Sequence, residues 1–218
     1  MFGKGSTRLV IVLCGLTMTI FLAMMSASPS FAAETIVDEW NTVKVPSAPE
    51  LKPVTVDLKS TVLLVADIVK QICSPVPRCV ASLPRIQALL AQARAKGVPV
   101  IYSLGGAASA ADILPEVAPR AGEPMVSSGP DKFLGTDLEK ILKDKGAQTV
   151  IIVGVNANGV VLHTGSEAAF RGFKVVVPVD GTSAGNLYAE QYTAWHLANA
   201  PRVSTLATLT RTDLIQFP

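Results

Sequence analysis

Apolar and polar positions along the chain fall into a repeated couplet, a short apolar run followed by a helical stripe. Val62 to Ala66 is an uninterrupted apolar run between Lys59 and Asp67, the pattern of a strand buried on both faces. Leu83, Ile86, Leu89, Leu90 and Ala93 then recur at helical spacing, and Gly97 closes that helix. Val98 to Tyr102 predicts a second strand, and Val150 to Val153 a third, followed by a glycine-bounded turn and a helix ending near Gly172. Thr136 and Asp137 are placed to cap a helix running through Ile141, Leu142 and Lys145 to Gly146. Lys174 to Val179, Leu187 to Ala198 and Val203 to Ala207 complete the series as strand, helix and short strand. Strand and helix in alternation predict an α/β fold: a three-layer, doubly wound parallel sheet with helices on both faces.

Two stretches break the rhythm. Residues 33–59 contain Trp40 and several prolines without sustained periodicity, which predicts an extended N-terminal arm. Residues 104–130 are rich in Gly, Ala, Pro and Ser, which predicts a long surface excursion of the kind that often carries function.

The first residues alter the arithmetic of the whole. Lys4 and Arg8 precede an uncharged run from Leu9 to Met25, and Ser30 and Ala32 stand as small residues before a cut, the three-part pattern of a cleaved signal peptide over 1–32. An exported protein, periplasmic or secreted, is expected, with no membrane attachment after cleavage. About 186 residues then remain, enough for one domain over 60–218. The formal charge of +2 falls to about zero without Lys4 and Arg8, which removes the electrostatic case for a nucleic-acid partner. Cys73 and Cys79 become the only thiols in an oxidising compartment. Their even number and the turn-rich residues between them read first as a disulfide, with a redox or metal-binding pair as the rival.

In such sheets ligands bind beyond the carboxyl ends of the strands, where strand order reverses. Asp67 ends the first strand, residues 102–105 end the second, and the turn 154–159 follows the third. An acid stepping out of an apolar run is suited to proton transfer if burial raises its pKa, or it simply caps loop amides. Amides of Asn156 to Val160, opening a helix, can converge on an anionic oxygen, or the turn can be a plain connection. That turn is not a phosphate loop, because Val160 and Val161 stand where Lys and Ser/Thr would. Ser103 and Ser127 are candidates for the pocket rim, without a Gly-x-Ser-x-Gly setting or a histidine partner. His163 reads as a core or interface residue or as one facing the pocket, and His196 as a packing or surface residue. No cluster with metal-ligand spacing is present, so no metal and no cofactor are expected.

Leu63-Leu-Val-Ala-Asp67, Ala93 to Tyr102, Phe133 to Leu138, Gly154 to Thr164, Ala168 to Phe173 and Val179-Asp180, in this order and spacing, resemble successive motifs of the isochorismatase-like family, also called the cysteine hydrolase superfamily. The resemblance implies a small-molecule hydrolase built on Asp, Lys and a nucleophilic Cys, and its members often self-associate. It makes Asp67 the general acid/base, places a cis peptide at Val155–Asn156, and puts oxyanion-binding amides at Asn156 and Val160. The family's cysteine, however, falls on Val160, and a valine cannot attack a carbonyl. The family's lysine falls by counting on Ser127; Lys132, the nearest lysine, either supplies that catalytic charge by a different path of the loop or is a plain solvated side chain. Isochorismatases proper cleave a vinyl ether without a covalent intermediate, but the glutamine they carry after the second strand falls on Gly105. Two readings follow. One is a hydrolase of a C–N or ether/enol-ether bond that uses Asp67 and water; the other is an inactive member that binds a small carbonyl compound.

Overall fold

The computed structural model describes residues 34–218, so the expected signal segment 1–32 lies outside the described residues. The described residues fall into two compact units, 34–45 and Pro46–Pro218. The first holds a helical turn, α1 (Ile36–Glu39), continued by a 3-10 turn at Trp40–Thr42. The second unit begins with β1 (Val54–Thr55) and β2 (Thr61–Ala66), followed by α2 (Lys70–Cys73) and α3 (Pro77–Ala95). Then come β3 (Val100–Gly105), β4 (Met125–Ser128), α4 (Leu138–Asp144) and β5 (Thr149–Val155). A π-turn over Ala157–Val161 leads into α5 (Leu162–Phe170), β6 (Lys174–Pro178), β7 (Thr182–Ser183) and α6 (Leu187–Asn199). β8 (Ala207–Thr210) and β9 (Ile215–Gln216) close the chain.

The main sheet has the order β4-β3-β2-β5-β6-β8, all parallel, with β7 added to the end of β5. The chain moves outward from β2 to β4 and then returns to the other side of β2 with β5. The order therefore reverses between β2 and β5, and a crevice opens beyond their carboxyl ends. The period of two along β2 sorts its residues between two cores: Leu63 and Val65 join α3 residues such as Ile86 and Leu90, while Val62, Leu64 and Ala66 join Leu142, Ala168 and Leu197. Helices thus cover both faces, as the alternation of patterns requires.

Two boundaries in the sheet differ from the sequence reading. The excursion 104–130 is not all surface loop, because β4 pairs with β3 at the sheet edge; its Met-Val-Ser-Ser carries too little apolar pattern to stand out. The rest of that excursion is stapled down by Arg94, which donates to both oxygens of Glu123 (2.8 and 2.6 Å) and to the Ala118 carbonyl. The Tyr102 hydroxyl donates to Val117 O, and burial, ahead of its charged neighbours, pushes this phenol up to about 12. The last strand of the sheet is Ala207–Thr210, not Val203–Ala207, because Val203 is buried as the anchor of a turn whose carbonyl receives Leu206 N and Ala207 N. Residues 46–59 are part of the second unit: β1 pairs with β9, and Val56 enters the core.

Cys73 and Cys79 are bonded to each other, with Cα atoms 5.4 Å apart and both side chains fully buried. The bridge ties the end of α2 to the first turn of α3, which begins at Pro77, six residues before the first apolar residue of the sequence stripe. Closing so short a loop contributes roughly 2 kcal/mol by the chain-entropy estimate. Replacing both cysteines with serine is expected to lower the urea-unfolding free energy by at least that amount. An unchanged midpoint and slope would show the bridge to be energetically idle.

Candidate active site

Asp67 is the first residue past β2, at the reversal of strand order, and turns the chain with φ of +55°. Its amide donates to the Ser103 carbonyl across the β2–β3 ladder, so the carboxyl group starts from a fixed backbone. The side chain is nearly sealed from solvent. Oδ1 accepts a hydrogen bond from Ser103 Oγ at 2.7 Å, and Oδ2 lies 3.0 Å from Lys132 Nζ. Two lone pairs of the carboxylate remain available. Burial is the largest influence and raises the Asp67 pKa above 3.8; the Lys132 charge and the Ser103 hydroxyl oppose it.

Lys132 has zero exposed surface. Its ammonium is 3.0 Å from Asp67, donates to Leu104 O at 3.0 Å and donates to Ser128 O at 2.9 Å. These three partners use its three protons, so it holds Asp67 and has no proton to spare for a ligand. The backbone is gripped as well. Lys132 N donates to Thr164 Oγ1 at 3.1 Å, and Thr136 Oγ1 donates to Lys132 O.

The counted lysine position, Ser127, is exposed on β4 opposite Leu104 and is not part of this cluster. The chain leaves β4 at Ser128 and folds the turn 129–133 inward, which carries Lys132 to the acid. Ser103 is likewise no rim residue, since it is 1% exposed and hydrogen-bonded to Asp67. His163 is exposed instead of packed, and His196 is half-buried beside Tyr192 with Nε2 3.3 Å from Ser166 Oγ.

On the other side of the reversal, Gly154 has φ of +135°, and a Cβ there would lie 1.9 Å from the Ala66 carbonyl oxygen. The Val155–Asn156 peptide is cis, at the position the resemblance implies. The Asn156 carbonyl then receives Gly159 N and Val161 N, winding the turn that leads into α5. Val160 is buried within it and packs into the apolar cluster that includes Phe133 and Leu138. Among the described residues the two cysteines are bonded to each other, and no free thiol is present. Gly105 faces the acid: a Cβ there would meet Ile72 Cδ1 at 2.7 Å and Asp67 Oδ2 at 2.9 Å. Any side chain here, glutamine included, would require the ends of the Ile72 and Asp67 side chains to move.

A family model described as the Isochorismatase domain matches residues 61–211. The chain belongs to the isochorismatase family. It is 32% identical to a secreted isochorismatase effector of Verticillium dahliae, over 46% of this chain and 58% of that protein. It is 30% identical to an N-carbamoylsarcosine amidase of an Arthrobacter species, over 49% of this chain and 53% of that one. The chain thus spans between half and three-fifths of these curated relatives. Among solved structures it superposes on the N-carbamoylsarcosine amidase of Thermoplasma acidophilum with a TM-score of 0.62 at 22% identity, over 71% of this chain and 97% of that one. An isochorismatase of Pseudomonas putida gives 0.66 at 19%, covering 74% and 93%. These two structures speak for the fold of an isochorismatase-family protein and for nothing finer.

Among the described residues there is no group of three His, Cys, Asp or Glu that could hold a metal, and no helix long and apolar enough to cross a membrane. Sequence reasoning missed Thr164, Thr136 and the two carbonyls on Lys132. The one signal for Thr164 was its place four residues after Val160, on the same side of the helix.

The raised pKa has a consequence for stability. A carboxyl group that holds its proton more tightly when folded stabilises the fold fully below its unfolded pKa, near 3.8, and loses that contribution as pH rises through the folded value. The stability of the unaltered protein minus that of Asp67→Asn is therefore expected to be greater at pH of about 3.5 than at about 7 in matched urea titrations. The opposite ordering would mean that the Lys132 charge outweighs burial.

Proposed function

We propose that this protein is an exported hydrolase of a small molecule, cleaving a C–N or ether/enol-ether bond with Asp67 as general acid/base and water as nucleophile. The observation that carries the reading is the sealed Asp67–Lys132 pair, 3.0 Å apart, at the reversal of strand order. Burial raises the Asp67 pKa against the opposing pull of Lys132 and Ser103, the direction a proton-transfer group needs. With an amide substrate, Asp67 takes a proton from the attacking water and returns it to the departing nitrogen as the C–N bond breaks. With an enol ether, protonated Asp67 gives its proton to carbon, and water adds to the resulting cation and returns a proton to Asp67. The hemiketal so formed collapses to a carbonyl compound and an alcohol as the C–O bond breaks. On the amide route the amides of Asn156 and Val160 stabilise the negative oxygen of the tetrahedral intermediate, and on both routes Lys132 holds Asp67 in place without touching substrate.

Val160 supports the water route over a covalent one, because the family's nucleophile position carries no reactive group. Export is supported by the N-terminal pattern of Lys4, Arg8 and the run Leu9 to Met25, by the bonded cysteines, and by the description of the Verticillium relative as secreted.

The same valine favours a second reading, an inactive member that binds a small carbonyl compound. A panel of amides, esters and enol ethers, followed by product analysis and thermal shift, separates the two. Product formation supports the hydrolase, whereas ligand-induced stabilisation without product supports the binder.

A further inference from the structure

We propose that Thr164 is a positioning residue for the Asp67–Lys132 pair, transmitting the placement of α5 to the ammonium. The proposal deepens the hydrolase reading and names a residue that does not itself contact the reacting atoms. It rests on how unusually this hydroxyl is used. A threonine inside a helix ordinarily returns its O–H to a carbonyl of the preceding turn. Thr164, 1% exposed in the first turn of α5, sends it elsewhere. Its Oγ1 donates to Pro130 O at 3.0 Å and accepts from Lys132 N at 3.1 Å, spanning the turn that carries the lysine.

Three features make this a clamp and not incidental packing. The turn 129–133 is the segment whose inward path delivers Lys132, and Thr164 is bonded at both ends of its central stretch. Thr136 Oγ1 holds Lys132 O and also receives Leu138 N, so the lysine backbone is fixed from α4 as well. The ammonium in turn has three acceptors on three separate segments, Asp67, Leu104 and Ser128, and a small shift of its backbone would lengthen all three. Thr164 also stands four residues after Val160, so one face of the π-turn and α5 carries both the nucleophile position and the clamp.

The test compares Thr164→Val, Thr164→Ala and Thr164→Ser in the full chain, with two readouts. The first is the titration of the Asp67 carboxyl, followed by isotope-edited spectroscopy; Lys132 and Ser103 are the groups that face it. Losing the hydroxyl lets the ammonium withdraw, so Asp67 should ionise at higher pH in the valine and alanine variants and return to its original value in serine. The second is turnover of a substrate from the panel, where misplacement of the pair should lower kcat by about 10- to 100-fold with KM little changed. An unchanged Asp67 titration in folded Thr164→Ala, or a serine variant that behaves like valine, overturns the proposal. Alanine serves where valine fails to fold. A shifted titration alongside activity indifferent to Asp67 would uphold the clamp and sink the hydrolase mechanism, so the two failures are distinct.

Discussion

Replacing Lys132 with methionine is expected to cost about 3–5 kcal/mol of stability and to raise the pH at which Asp67 ionises. Methionine fills much of the same buried stem volume, so what the substitution removes is the ammonium. Asp67 Oδ2 then faces apolar atoms without its countercharge, and Leu104 O and Ser128 O lose their donor. A buried charge stripped of its partner carries most of its desolvation penalty uncompensated, and each orphaned carbonyl adds to it. Protonation of Asp67 offsets part of the loss, which is why the two effects should appear together. Urea unfolding read alongside carboxyl titration checks both. A loss below about 1 kcal/mol, the range of exposed ion pairs, would mean that water reaches the pair in solution.

Gly154→Ala is expected to have the larger effect, preventing recovery of folded protein or costing more than about 4 kcal/mol. A φ of +135° is disfavoured for any residue with a Cβ, but the strain is secondary here. The decisive figure is the 1.9 Å between an added Cβ and the carbonyl oxygen of Ala66, with the carbonyl carbon at 2.8 Å. Backbone, not a mobile side chain, receives the collision, and it lies where Ala66 and Gly154 pair at the ends of β2 and β5. The variant must part the two strands whose separation defines the crevice, one residue from Asp67. Gly146→Ala provides the comparison. Its φ of +66° is also positive, yet nothing lies within 4 Å of its added Cβ, so a cost of only about 1 kcal/mol is expected. Similar thermal midpoints for the two variants would contradict the steric explanation.

The central strands were legible because both of their faces are buried. Val62 to Ala66 and Val150 to Val153 are apolar throughout, and Asp67 stood out as the acid that ends such a run. From the alternation of such runs with helical stripes the parallel sheet follows, and with it a crevice beyond the carboxyl ends of its strands. β4 was hidden because an edge strand needs only one buried residue, here Val126, amid glycine and proline. Lys132 could not be placed by counting, because the inward turn of residues 129–133 depends on Thr164 and Thr136, which are remote along the chain or ambiguous in pattern. Ser103 shows the opposite difficulty: a serine at the end of a strand reads as a rim group, and only the sheet register reveals that it faces Asp67. Val160 was readable as an absence of chemistry, but its burial among Phe133 and Leu138 was not.

The central claim is that Asp67 moves the proton in a hydrolysis that needs no thiol. Its most direct measurement is kcat/KM of the unaltered protein and of Asp67→Asn on the amide, ester and enol-ether substrates that are turned over. The expected result is a loss of about 100- to 10,000-fold in the asparagine variant, the range contributed by a positioned acid/base. Equal turnover by the two proteins would contradict the account.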